Sequence, residues 1–337
     1  MPQPFFFTSM TRISDLVDRD FRVEPLEFDA WSTGDYVVTE VVTPSDAQTV
    51  ELASGRMIEV AEGDLVIGAL GRRHATLEAT GTWERVEEDG RMELLTAAGL
   101  LGKCTSISPM IPSLTGVVYR GHLLDGDDKL GMDDFVSSRP HRSFETPTVL
   151  LVGTSMSAGK TTAARVIIRL LKQHHRLTVL GAKLTGAGRY RDVLAMKDAG
   201  ADHIFDFMDA GLPSTVVSAE GYRERLRTLL SKMAAIEADV AVIESGASPL
   251  EPYNGATAIE EMQHAVEFTV LCSSDPYAIV GVMEAFGTRP DLVTGICTNT
   301  IAGVELSEEL SGIRALNVRE RSSHPELLEL LEEHLDL

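Results

Sequence analysis

The chain has few bases, few cysteines and few aromatic residues, and it has no long apolar run. Of its 337 residues, 30 are Lys or Arg and 51 are Asp or Glu, a formal charge of -21. Sequence-independent binding to nucleic acid depends on neutralising phosphates with Lys and Arg, so this balance argues against a nucleic-acid partner. Nothing reaches the roughly 18 consecutive apolar residues of a membrane span, so no membrane partner is expected. Phe5-Phe6-Phe7 lies near the start without a basic region or a long apolar stretch beside it, which reads against a secretory leader. Cys104, Cys272 and Cys297 are widely spaced and show no metal-ligand spacing. They read as reduced, buried thiols of a cytoplasmic protein rather than as disulfides or a zinc site. The histidines form no cluster: His174-His175 falls at a helix end, and His122 reads as a core or turn residue.

What is present is enough apolar residue, 44% of the chain, to build real cores. The length favours two domains. The polar, proline-containing segment Ser137 to Pro147 separates two textures. Before it, short β-branched runs punctuated by glycine, such as Asp35–Val42, Arg56–Val60, Asp64–Leu70 and Gly116–Leu124, predict a mainly β domain over residues 1–146. Ala75–Thr80 is a further expected strand, and Leu94–Leu101 an expected short helix. Over residues 147–337, apolar runs alternate with helical stretches. The runs are Thr148–Val152, Leu177–Ala182, Val240–Ile243, Phe268–Cys272 and Leu292–Cys297; the helices include Thr161–His174, Tyr222–Ile236, Ala256–Val266 and Pro325–Leu335. That rhythm predicts an α/β domain built on a doubly wound parallel sheet flanked by helices.

The strongest chemical signal follows the first of those runs: Gly153-Thr154-Ser155-Met156-Ser157-Ala158-Gly159-Lys160-Thr161-Thr162. A strand, a glycine-containing loop and a helix opening on Gly-Lys-Thr-Thr are the context of a phosphate-binding loop. Gly159 permits the tight turn, successive backbone N–H groups line an anion nest, Lys160 reaches the terminal phosphates, and the Thr161 hydroxyl can ligate Mg²⁺. The expected cofactors are therefore ATP and Mg²⁺. GTP is less favoured, because no N-K-x-D guanine signature is found. The first glycine stands one residue earlier than in the usual G-x-x-x-x-G-K-[ST] spacing, with Thr154 in its place.

That shift resembles dethiobiotin synthetase and its relatives, ATP-dependent members of the SIMIBI class of P-loop proteins, whose loop reads GTDTxVGKT. Gly153, Thr154, Gly159, Lys160 and Thr161 match. The resemblance covers about residues 148–300 and implies four further residues. Lys183, in Gly181-Ala182-Lys183-Leu184-Thr185-Gly186, would contact a reacting carboxylate or carbamate. Asp192 and Glu244 would join Thr161 as metal ligands, Glu244 within Val242-Ile243-Glu244-Ser245-Gly246-Ala247-Ser248. Asn299, in Gly295-Ile296-Cys297-Thr298-Asn299, would contact adenine. Read without the family, Lys183 and Glu244 end buried strands and so face the ligand side of an open sheet. Asp192 is equally a helix N-terminal acid favoured by the macrodipole, Glu244 a solvated acid after a strand, and Asn299 a loop residue. The chain departs from the family at Ser155, Met156, Leu184 and Ala187, on the acceptor side of the site. The loop is also similar to that of DUF1611-type P-loop proteins, which carry an additional N-terminal domain.

Two readings of function follow. The first is a Mg-ATP-dependent ligase or kinase acting on a small carboxylate or amine, with Lys160, Lys183 and Glu244 as its catalytic residues. The second is a nucleotide-switched binding or maturation protein of the same class, which brings with it a homodimer across the nucleotide. Ser155 stands where such switches often carry an extra lysine, which weighs against that second reading. The loop Ser248 to Gly255 and the cations Arg189 and Arg191 could read the acceptor or be ordinary surface, and Ser273 to Tyr277 reads as a helix cap.

Overall fold

The computed structural model describes residues 4–137, 140–246, 248–287 and 289–337. Ser138 and Arg139 of the expected linker, and Ala247 of the segment after Glu244, lie outside the described residues. The chain resolves into two compact units, each described by itself.

The first unit comprises residues 4–137 with Ala187–Arg191 and Phe207–Val217. Its centre is five strands, β1 (Tyr36–Thr43), β2 (Leu65–Leu70), β3 (Arg91–Leu94), β4 (Leu100–Ile107) and β5 (Gly116–Asp125). They pair in the ring β2-β1-β5-β3-β4, which parallel pairing of β4 with β2 closes. Five shorter strands extend this sheet to ten. The inward residues recur at alternate positions, Val37 and Val41, Val66 and Leu70, Met92 and Leu94, because successive strand side chains take opposite faces. Leu94–Leu101, expected as a helix, is instead the connection between β3 and β4. Leu94 and Leu101 face each other across the ladder, and Leu95 N–H bonds to the Leu100 carbonyl at 2.7 Å. The expected strand Ala75–Thr80 begins only at Ala79, and the residues before it form the turn from Arg72–His74.

Two buried polar groups tie this unit together. The Glu51 carboxylate accepts from the Ser9 hydroxyl at 2.5 Å and from the backbone N–H groups of Tyr190 and Arg191 at 2.8 Å each. The His122 ring is fully buried, with Nδ1 2.5 Å from the Tyr119 hydroxyl; Nε2 lies 3.3 Å from Asp35 Oδ2 but makes no hydrogen bond. Asp35 also receives the Lys129 ammonium, so His122 serves packing and hydrogen bonding inside this unit.

The second unit holds six parallel strands: β6 (Thr148–Gly153), β7 (Val179–Thr185), β8 (His203–Asp206), β9 (Val240–Ser245), β10 (Val266–Ser273) and β11 (Leu292–Gly295). Their spatial order is β8-β7-β9-β6-β10-β11. Helices α1 (Lys160–His174), α2 (Tyr190–Ala199, whose first two residues belong to the first unit), α3 (Ala219–Met233), α4 (Gly255–Met262), α5 (Pro276–Phe286), α6 (Ile301–Ser311) and α7 (His324–Leu335) accompany them. Val149, Leu151, Val242, Phe268 and Val270 pack one sheet face against the apolar stripe of α1 and Leu327, Leu331 and Leu335 of α7. Val152, Leu271 and Val293 pack the other face, with Ile279 of α5. Both faces are covered, which is why these strands read as continuous apolar runs. β8 is the strand without such a run; the cap read at Ser273 to Tyr277 does open α5, whereas α6 was not anticipated as a helix. Among the described residues, no helix is long and apolar enough to cross a membrane.

Candidate nucleotide site

The site is built where β6 gives way to α1. β6 lies between β9 and β10, so chain reversal on either side leaves a crevice at the strand ends. Thr154 N–H bonds to the Cys272 carbonyl at 3.0 Å, and Thr154 Oγ1 accepts from Ser274 N–H at 3.1 Å. The loop after β10 thus fastens the start of the phosphate loop through Ser274, while Asp275 caps α5 by accepting from Tyr277 N–H. Gly159, at φ +108°, makes the left-handed turn into α1. Gly295 at the end of β11 packs backbone to backbone on the loop, since a Cβ there would lie 2.5 Å from the Ala158 carbonyl oxygen. That contact places the turn Ile296–Thr298, and Asn299 after it, alongside the loop; Asn299 itself is exposed.

Lys160, the first residue of α1, is 2% exposed and its ammonium donates to the Ser155 carbonyl at 2.7 Å. It folds over Gly153, where a Cβ would come within 2.6 Å of Nζ. Burial pushes the ammonium below its usual range, and the charge of Glu244 offsets only part of that effect. The Thr161 hydroxyl donates to Glu244 Oε2 at 3.0 Å. Glu244 is the penultimate residue of β9 and is itself buried. Lys183 stands opposite Glu244 in the β7–β9 register and opposite Asp206 in the β7–β8 register. It is 4% exposed, and its ammonium reaches Asp192 Oδ2 at 2.5 Å. Burial pushes Lys183 down, but the charges of Asp192, Glu244 and Asp206 outweigh burial and hold it above the usual lysine range.

The residues fit a nucleotide and its metal. Ser155 Oγ is buried in the loop without a hydrogen-bond partner, an orphan that a phosphate oxygen would satisfy. Gly153 keeps the cradle open where a side chain would fill it. A hydroxyl and a carboxylate 3.0 Å apart are hard oxygen donors. Mg²⁺ usually takes one or two carboxylates and completes its shell with phosphates and water. Among the described residues, no group of three or more His, Cys, Asp or Glu could by itself hold a metal ion.

The second unit carries a P-loop.

Of the other expected residues, Met156 and Thr161 are half-buried, whereas Ser157 and Thr162 are exposed. In the loop before α4, Tyr253 is fully buried and Ser248 N–H bonds to Glu251, so that loop is internally anchored. Arg189 and Arg191 belong to the barrel unit and are exposed. Asp206 and Ser274 escaped sequence reasoning. Asp206 closes a four-residue edge strand, and Ser274 carries only the signal of a helix cap. An apolar cavity of 450 Å³ between α4 and α5, lined by Leu150, Val152, Ile259, Val282 and Met283, is separate from the phosphate loop.

No family model matches the chain, and no curated protein matches it. Among solved structures it is similar to the hydrogenase maturation factor HypB from Archaeoglobus fulgidus, at 14% identity and a TM-score of 0.39 over 57% of this chain and 91% of that one. A DUF1611 family protein from Anabaena variabilis shares 18% identity at a TM-score of 0.32, over 59% of this chain and 60% of that one. A ParA family ATPase from Chlorobium tepidum shares 13% at a TM-score of 0.33, over 56% and 91%. At these scores the likenesses decide nothing about function. The P-loop fold stands on the strand order and loop geometry of this chain.

Proposed function

We propose that the α/β unit binds Mg-ATP and directs its γ-phosphate to a small carboxylate or amine, as a ligase or kinase does. The observation that carries this reading is the buried Lys183 ammonium, set at the end of β7 in register with Glu244, whose carboxylate holds the Thr161 hydroxyl. Lys160 and the loop amides supply positive charge where the β- and γ-phosphates would lie. Thr161 and Glu244 would hold Mg²⁺, which when bound neutralises developing phosphate charge. Lys183 would orient an anionic acceptor oxygen toward the γ-phosphate. Such parts work by positioning and electrostatic stabilisation rather than by covalent chemistry.

The test is Mg-dependent ATP turnover by wild type and Lys160→Ala, with and without a pool of small carboxylates and amines. Turnover that requires a pool member and is lost in the variant supports the reading and identifies the acceptor class. Slow turnover indifferent to every pool member points instead to a nucleotide-switched protein that acts through a partner. A wild-type chain that neither binds nor hydrolyses ATP overturns the proposal.

A further inference from the structure

We propose that Asp192 is a positioning residue for Lys183 and takes no part in holding the metal. This inference rests on the Mg-nucleotide reading of the site and assigns roles within it. Asp192 is the third residue of α2, and Lys183 lies near the end of β7. Their charge-assisted bond of 2.5 Å spans nine residues and fastens the helix start to the strand end. The lysine side chain is 6% exposed and the aspartate 18%, so the pair is sheltered from water.

Two observations separate Asp192 from the metal site, and a third gives it a positioning role. Thr161 and Glu244 already contact each other and supply a hydroxyl and a carboxylate, a protein share that Mg²⁺ can complete with phosphates and water. Asp192 Oδ2 is directed at an ammonium, and turning it to a cation would leave a buried lysine without that partner, a strongly unfavourable change. Lys183 also faces Glu244 and Asp206 across the sheet, so without Asp192 the ammonium is free to swing toward those strands. Held by Asp192, an ammonium with three donors keeps the others for an anionic acceptor. Asp192 therefore acts through Lys183: it fixes where the acceptor's charge is received.

The experiment uses the full chain and Mn²⁺ with ADP as probes. Free Mn²⁺ is measured by electron paramagnetic resonance for wild type, Glu244→Gln, Lys183→Met, and Lys183→Met combined with Asp192→Asn. Because an unpaired Lys183 can move onto Glu244, the carboxylate is tested with the lysine removed. Asp192→Asn added to Lys183→Met is expected to change the Mn²⁺ Kd by less than about twofold relative to Lys183→Met alone, whereas Glu244→Gln raises it at least about tenfold. In parallel, the Lys183 ammonium resonance, slow to exchange while buried and hydrogen-bonded, is followed by ¹⁵N NMR. It is expected to vanish in Asp192→Asn and return in Asp192→Glu. A tenfold weaker Mn²⁺ Kd on adding Asp192→Asn to Lys183→Met, or an unchanged ammonium signal in Asp192→Asn, overturns the assignment. If ADP and Mn²⁺ fail to bind the wild type, the nucleotide reading itself fails, and the NMR comparison still decides whether Asp192 holds Lys183.

Discussion

Lys160 is the residue at which function and stability oppose each other. Its ammonium is buried against one carbonyl oxygen and pushed below the usual lysine range by that burial. A lysine depressed in the folded state carries its full penalty at every pH below the folded value; the penalty shrinks as pH rises from there and is gone above the unfolded value near about 10.4. Lys160→Met is therefore expected to raise the stability of the nucleotide-free protein by about 1 kcal/mol, or a few degrees in Tm. The same substitution should abolish ATP binding. Thermal melts at pH 7 and pH 10, with and without Mg-ATP, check both halves: the gain should shrink at pH 10, and the ligand-induced shift should be absent. A lower Tm at pH 7 would show that the Ser155 contact stabilises the loop more than the buried charge costs. Cys272 beneath the loop is a quieter residue. Burial pushes its thiol up to about 12, so it should stay unreactive to thiol reagents at pH 8 in the folded protein.

Among the elements, α1 and β7 are joined by Asp202. Its carboxylate takes the Lys172 ammonium at 2.8 and 3.1 Å and the Val179 N–H at 2.7 Å. Burial pushes Asp202 up, yet the Lys172 and Val179 hydrogen bonds prevail and hold it below the usual carboxylate range. A depressed carboxylate stabilises the fold above its unfolded pKa, and that contribution is lost as pH falls through the folded value. Asp202→Asn should therefore cost stability at pH 7, and the difference from wild type should close below about pH 4 in urea titrations. The elements also show why some of this fold was legible and some was not. β6, β9 and β10 are buried on both faces and announce themselves as apolar runs, and the P-loop announces itself by Gly-Lys-Thr after one of them. β8 is a four-residue edge strand with exposed and half-buried positions, so no run marks it. Leu94–Leu101 has helix-like spacing only because its leucines close a turn between two strands. Lys183 could be placed at a strand end from its neighbours, but its bond to Asp192 depends on the course of the chain between β7 and α2. No local pattern encodes that.

For the whole molecule, the formal charge of -21 sets a measurable expectation. Self-repulsion among exposed carboxylates is screened within a Debye length of about 10 Å at 0.1 M salt. Tm should rise between 10 mM and 0.5 M KCl, and a flat or falling profile would show that the surface ion pairs, such as Arg314 with Glu308 and Glu326, outweigh that repulsion. The course of the chain through its two units carries a further consequence. The barrel unit draws on Ala187–Arg191 and Phe207–Val217 as well as on its first segment. Glu51 is satisfied by Tyr190 and Arg191, Arg12 pairs with Asp209, and the Ser214 hydroxyl donates to the Arg72 carbonyl. During synthesis these partners leave the ribosome long after the strands they complete, so the first part of the chain to be made cannot be the first part to finish folding.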